Sequence, residues 1–388
     1  MSKIVYNQNC NNISMPTILP EAKRIIAIGD IHGDMKLVID SLIISKVIVP
    51  VKNETPKSVN VRLKINKAGK SINRFKTYYY EWSGGEDIVV QIGDQNDSCR
   101  PINGSCDHIK DDTPDDIPIM MFFTRLHELA LETGGGVYSL IGNHEIMNIN
   151  GDLRYVSKSN INKFKNYTDP ITNKKYTGTP EQNFIQAFKN GNEYANLIGC
   201  TRQSVLIVGD FLFIHAGINQ KFLENFRGRD ELQRLNNIVK NWIITKMDEL
   251  EKKRMVDPQL EELLHHAENS PFWMRVLGQL QDHLPATDPL CRKFVDPIIE
   301  AYKIKGMIIG HTPQAVGINQ TCDNKLFRID VGASKAFPER REPQVLEIEK
   351  LDNGTYKYTV IFQKEEVYES IVPDDINSFG QMETRLPN

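Results

Sequence analysis

The chain has 388 residues, 40% of them hydrophobic and 25% charged. That is enough apolar mass for a sizeable core, and it excludes a disordered or collagen-like chain. A formal net charge of -3 offers no general basic surface for nucleic acid, and no apolar run is long enough to cross a bilayer. The N-terminal MSKIVYNQNCNNISMP lacks a charged-then-apolar secretory pattern, and the six cysteines (10, 99, 106, 200, 291 and 322) form no CxxC pair. These features favour a reducing, cytoplasmic setting and disfavour a disulfide framework or a thiolate zinc site, with Cys99 and Cys106 read as loop thiols.

Residues 1–20 are polar, contain Pro16 and Pro20, and read as a flexible arm. One domain is expected over 21–372, with 373–388 as a flexible tail. Arg24–Ile28 is an apolar run that ends on Gly29-Asp30, the pattern of a buried strand. Apolar residues at 35, 38, 39, 42 and 43 then have the spacing of a helix returning across a sheet. Residues 50–85 include the alternating Val59-Asn60-Val61-Arg62-Leu63-Lys64-Ile65 and read as an inserted β-ribbon. Ile88–Ile92 is a second buried strand. An amphipathic helix near 119–132 is stopped by Gly134-Gly135-Gly136, and Val137–Ile141 is a third strand.

A second insertion, 151–200, holds a Lys/Asn-rich stretch at 158–177, read as a solvated loop, and a helix near 181–196. Gly209-Asp210 between Val205–Val208 and Phe211–Ile214 is a two-residue hairpin signal. Residues 229–255 are helical and charged, and 256–300 are helical with breaks at four prolines. Gly306–Ile309 is another buried strand. Runs at 327–331, 345–348 and 356–360 read as further strands, implying a second, antiparallel layer.

Five apolar runs end on polar residues: Gly29-Asp30-Ile31-His32-Gly33-Asp34, Gly93-Asp94-Gln95-Asn96-Asp97, Gly142-Asn143-His144-Glu145, His215-Ala216-Gly217 and Gly310-His311-Thr312-Pro313. One such stretch is a weak signal, but five in order place ligand-type side chains at strand ends that converge on one edge. Carboxylate, imidazole and amide donors without thiolate favour Mn, Fe or Zn, and there are enough of them for two ions sharing one carboxylate. Two ions about 3.5–4 Å apart clamp a phosphoryl group and ionise a water at neutral pH, the chemistry of phosphoester hydrolysis. His144 carries an imidazole that can donate a proton near neutrality.

GDIHGD, GDQND, GNHE, HAG and GHTP in this order resemble the calcineurin-like metallophosphoesterases of the phosphoprotein phosphatase branch. GNHEIMN followed by GDLRYV, SPFWMR at 270–275 and IDVG at 329–332 are most similar to the Shewanella-like protein phosphatases. The resemblance covers roughly 24–350. It implies a metallophosphoesterase α/β fold in which two mixed β-sheets are sandwiched between helices, four layers in the order α-β-β-α. It also implies a metal-dependent phosphatase acting on phosphomonoesters through a hydroxide bridging two divalent ions, Mn foremost, with Fe or Zn as alternatives. The substrate would be a phosphorylated protein, on serine/threonine or tyrosine, or a phosphorylated small molecule.

The residues implied as metal ligands are Asp30 and His32 for the first ion, Asp94 as the bridge, and Asn143, His215 and His311 for the second. His144 is implied as general acid with Asp97 as its carboxylate partner, while Asp34 and Glu145 support the loops. The family carries Arg directly after the position of Asp97, where this chain has Ser98-Cys99-Arg100. Arg100 from a shifted position, Arg154 and Arg275 are therefore the candidates to bind phosphate, because a guanidinium grips it in two-point fashion. A nucleotide or dinucleoside polyphosphate hydrolase is the alternative on the same fold, and a catalytically silent metal-binding module is the third reading. Neither a nucleic-acid nor a membrane partner is expected.

Overall fold

The computed structural model describes residues 10, 15–50, 80–106, 109, 112–169, 173–246, 258–265, 268–339, 341–362 and 367–372, with short strand segments between 59 and 77. Seven strands form one mixed sheet in the order Arg202–Gln203, Gly136–Leu140, Ile88–Gln91, Arg24–Ile28, Gln344–Lys350, Tyr356–Phe362, Val367–Val372. The first four are parallel neighbours, with Ile25 opposite Ile88 and Val137 opposite Val89. Six strands form the other sheet: Ile18–Leu19, Val205–Val208, Phe211–Ile214, Gly306–Ile309, Leu326–Arg328, Asn319–Thr321. Phe211–Ile214, Gly306–Ile309 and Leu326–Arg328 run parallel within it.

Side-chain alternation along the strands sets the layers. Leu206, Val208, Phe211 and Phe213 are buried in the cluster that contains Ile26, Ile28 and Val90 of the facing sheet. Their neighbours Val205, Ile207, Leu212 and Ile214 are buried instead with Leu197, Leu235, Val239 and Ile243 from the helices Glu193–Thr201 and Arg229–Ile244. Met35–Ile44 and Asp116–Leu131 cover the outside of the seven-stranded sheet with Leu37, Val38, Ile119 and Phe123. The order is thus helices, sheet, sheet, helices. Each wholly buried Phe or Ile contributes roughly 1.5–3 kcal/mol, so both buried clusters are large sources of stability.

The topology positions the site. The runs ending at Ile28, Gln91 and Leu140 lie side by side in one sheet, and those ending at Ile214 and Ile309 are adjacent in the other. Both groups release the chain at C-terminal strand ends, where ligand crevices form in α/β sheets. The Gly209-Asp210 hairpin pairs Val208 with Phe211, and the 50–85 region contains nested antiparallel pairs such as Ile48 with Trp82 and Asn60 with Lys76.

Several expectations are corrected. The arm over 1–20 is not loose throughout: Ile18–Leu19 pairs with Ile207–Val208 and Thr17 is buried, although 1–9 and 11–14 lie outside the described residues, as does the tail 373–388. The helix near 181–196 is two helices, Pro180–Phe188 and Glu193–Thr201. They are separated at Gly191, whose φ of +73° lets the chain pass against the Lys246 backbone. The stretch 158–177 is not simply solvated, because Phe164 and Tyr167 are buried and Phe164 packs on Phe184 at 4.9 Å. Strands 344–350 and 356–362 extend the first sheet instead of building the second layer.

The six cysteines are also paired, Cys10 with Cys200, Cys99 with Cys106 and Cys291 with Cys322, at Cα separations of 5.1, 5.7 and 5.5 Å. Partners 190, 7 and 31 residues apart leave no local signature in the sequence. Their pairing withdraws the argument from cysteine usage for a reducing compartment. Among the described residues, no helix is long and apolar enough to cross a membrane.

Candidate active site

The strand-end loops are strained and mutually braced. His32, Asp94, Asp97 and His311 have φ of +43°, +52°, +73° and +66°, a region that costs a non-glycine residue on the order of 1 kcal/mol or more. Their turns persist because other loops hold them. The amides of Ile31 and His32 donate to the Asp94 carbonyl at 3.0 and 2.9 Å, and Gly33 N donates to Gln95 O at 2.8 Å. Glu145 accepts from the amides of Asp94, Gln95, Asn96 and Gly142 at 3.0, 2.9, 3.2 and 2.7 Å. Asp34 caps the following helix through Leu37 N at 3.1 Å and accepts from Lys335 N at 2.8 Å. The glycines before Asn143 and His311 are sterically required: a Cβ on Gly142 would collide with Asp94, and one on Gly310 with Asp30.

Asp94 lies at the centre. Its Oδ2 is 3.4 Å from His215 Nε2, 3.8 Å from His32 Nε2 and 3.9 Å from His144 Nε2. Two groups, His32-Asp94-His144 and Asp94-His215-His311, place one ligand atom per residue within 4.8 Å of one another. Asn143 Oδ1 joins the second group, 3.0 Å from His215 Nε2 and 2.9 Å from His311 Nδ1.

The outer ring nitrogens decide the chemistry. His215 Nδ1 rests on Ile92 O at 3.0 Å and His311 Nε2 on Trp273 O at 3.0 Å. A carbonyl only accepts, so those nitrogens carry the protons, and the inner nitrogens turn lone pairs toward Asn143 Oδ1 and Asp94. Lone pairs facing one another call for a cation, and the N/O donor set fits a divalent one. On the other side, Asp30 Oδ2 accepts from His311 N at 3.0 Å while Oδ1 has no partner among the described residues.

Electrostatics point the same way. Burial alone would raise the Asp94 carboxyl, but His215, His144 and His32 hold it well below the ordinary carboxylate range. Burial alone would depress His215, yet Asp94 lifts it above its usual value. Burial pushes His32 and His311 well down, assisted by Arg100 beside the first and by His215 and Arg275 near the second. His32 and His311 are thereby held in the neutral form that binds metal, and a cation taken up beside Asp94 would displace the proton that Asp94 favours on His215.

His144 is set apart by its partner. Its Nδ1 meets Asp97 Oδ2 at 2.7 Å, leaving Nε2 toward the cluster. Asp97 is wholly buried, and its Oδ1 accepts from Asn148 Nδ2 at 2.9 Å; Asn148 Nδ2 also donates to His144 O at 2.7 Å. Asn148 was not singled out by sequence reasoning. Its place one helical turn after His144 on Asn143–Ile149 is the signal that could have found it. Asp116 Oδ2 accepts from Asp97 N at 3.3 Å; burial and the Asp97 charge push its carboxyl well up.

The three arginines separate. Arg100 reaches the cluster, with Nη2 2.7 Å from His32 Nε2 and 3.5 Å from His144 Nε2. Its guanidinium lies between the rings of Tyr155 and Phe337, 5.3 and 5.0 Å from their centroids, and the Cys99–Cys106 bond closes the loop that carries it. Tyr155 also stands edge-on to His144 at 5.0 Å. Arg154 is exposed and binds Asp152 through Nε and Nη2 at 3.0 and 2.7 Å, so the structure does not bring it among the converging groups. Arg275 is exposed at the rim, with Nη1 donating to His311 O at 3.2 Å.

Residues 23–315 match the calcineurin-like phosphoesterase family. The chain belongs to the calcineurin-like phosphoesterases. It is a hydrolase of phosphoesters, in a family that uses divalent metals. The uncharacterized protein R398 of Acanthamoeba polyphaga mimivirus is 36% identical over 247 residues, 59% of this chain and 94% of its own. Shewanella-like protein phosphatase 2 of Arabidopsis thaliana is 27% identical across 95% of this chain and 86% of its own. The crystal structure of a cold-active protein-tyrosine phosphatase from a psychrophilic Shewanella species aligns with a TM-score of 0.62 and 18% identity, over 93% of this chain and 84% of that one. It shares the two-sheet phosphoesterase fold.

Proposed function

We propose that this phosphoesterase is a metal-dependent protein phosphatase that hydrolyses phosphomonoesters on serine/threonine or tyrosine. The observation that carries the reading is the buried chain His144–Asp97–Asn148 beside two His/Asp groups sharing Asp94. Asp30, His32 and Asp94 would hold one divalent ion and Asp94, Asn143, His215 and His311 a second, with Mn the expected metal. When bound, such ions supply Lewis acidity toward phosphoryl oxygens and a water of lowered pKa.

The protein's own groups do the rest. Asp97 keeps the proton on His144 Nδ1 and stabilises the imidazolium, so that Nε2–H faces the departing ester oxygen. Proton delivery there lets an alcohol leave instead of an alkoxide. Arg100, set between Tyr155 and Phe337 with Nη1 donating to Asp97 O and Cys99 O, would offer Nη2 to the non-bridging oxygens, on which negative charge accumulates. Arg275 at the rim of the second group is placed to meet a neighbouring part of the substrate.

The similarity to a relative named as a protein phosphatase supports this reading over a nucleotide hydrolase. The test is phosphate release by Mn-loaded protein, side by side on phosphoSer/Thr peptides, phosphoTyr peptides and dinucleoside polyphosphates. Turnover of peptides, reduced about 10²–10⁴-fold in His144→Asn with metal retained, is the expected result. Turnover of the dinucleotides alone would overturn it.

A further inference from the structure

The stretch Ile329-Asp330-Val331-Gly332 has no part in the six-ligand set, yet it ends on the same cluster. It follows Leu326–Arg328, the parallel neighbour of Gly306–Ile309, which delivers His311. Its backbone lies against the Gly29-Asp30 turn so closely that a Cβ on Gly29 would strike Ile329 O. Asp330 is 2% exposed. Its Oδ1 accepts from Gly332 N at 3.0 Å, while Oδ2, fully buried, has no partner among the described residues. Asp30 Oδ1 is buried and unpartnered in the same way.

Two buried carboxylates with one bare oxygen each are an unfavourable pair. Arg100 is the guanidinium that reaches this cluster, which also holds the Asp94 carboxylate. One guanidinium does not balance this set, and a divalent cation does. Hard oxygen donors suit Mn²⁺ or Mg²⁺.

We propose that Asp330 is a further carboxylate serving the first divalent cation, alongside Asp30, His32 and Asp94. It makes that side oxygen-rich, whereas the side of Asn143, His215 and His311 relies on neutral donors around the shared Asp94. The inference rests on the two-ion reading above.

The test is Mn²⁺ binding to chelator-stripped full-length protein, measured by equilibrium dialysis with elemental analysis. Asp330→Asn keeps the Gly332 contact through its amide oxygen. It is expected to leave one ion at wild-type affinity and weaken the other about 10–100-fold. In a His311→Ala background, which weakens the second ion, Asp330→Asn should weaken the binding that remains by the same factor, about 10–100-fold. Two ions bound at wild-type affinity in Asp330→Asn, or equal weakening of both, would overturn the proposal. Should that variant fail to fold by circular dichroism, Asp330→Ser carries the same expectations. Asp94→Asn separates the two ideas: if it still binds two ions, the two-ion reading itself fails. If it loses them while Asp330→Asn does not, only the role of Asp330 is lost.

Discussion

On one side of Asp94, His215 and His311 each rest an outer nitrogen on a backbone carbonyl, and Asn143 closes the group with a neutral oxygen. On the other side, Asp30 and Asp330 bring carboxylate oxygens without partners among the described residues, and Arg100 leans over His32. The first arrangement is orientated by its own hydrogen bonds. The second gathers buried carboxylates beside the Arg100 guanidinium. On the proposed two-ion reading the two halves divide labour, one holding geometry and the other holding charge for the ion and for a phosphate that approaches it.

The largest test of this division is Asp94→Asn, because both halves depend on that carboxylate. Metal analysis should show loss of both ions, and activity should fall on the order of 10³-fold or more. Next is the acid. Asn148→Ala leaves Asp97 free to turn from His144, and kcat should drop about tenfold with KM little changed. The pH limb of kcat that reports the acid should shift, whereas a defect confined to folding would leave the profile's position unchanged. Asn148→Ser, which restores a donor, should recover part of the loss.

The arginines come third. Arg100→Ala should lower kcat/KM roughly 10–100-fold, largely through KM, since a charge-assisted pair to phosphate is lost. Arg154→Ala should stay within about twofold of wild type, because this exposed arginine is already occupied by the half-buried Asp152. Equal effects of the two substitutions would erase the contrast between centre and rim.

The smallest effect lies away from the site, in the aromatic packing of the 151–200 region, where Phe184, Phe188 and Tyr194 stack at 4.4 and 5.0 Å. Glu193 accepts from Tyr167 Oη at 2.7 Å, and burial pushes its carboxyl from 4.5 up to about 8. A folded-state value above the unfolded one means that the stabilisation is complete below about 4.5 and is lost as pH rises toward 8. Glu193→Gln should therefore gain on wild type in melting temperature as pH goes from 5 to 8, with turnover unchanged. Parallel melting curves across that range would sink the assignment.

Local pattern by itself determined the five apolar strands and the polar residues at their ends, since burial with a period of two and a glycine stop are written in neighbouring residues. The order of the motifs then carried the family, and with it the four-layer fold. Which residues meet across the chain was decided by tertiary structure. Cys10 and Cys200 are joined across 190 residues. Arg100 reaches His32 because a closed loop and two aromatic rings aim it. Strands 344–350 and 356–362 carry an alternation that suits either sheet, and pairing with Arg24–Ile28 settles which one they join. Asp330 lies in the IDVG stretch that carries part of the resemblance, but sequence alone assigns it no role. It becomes exceptional through the packing of its strand end against Gly29, which buries a carboxylate oxygen without a partner among the described residues. Periodicity records which face a side chain takes, but charge balance and contact across distant segments exist only once the chain has closed.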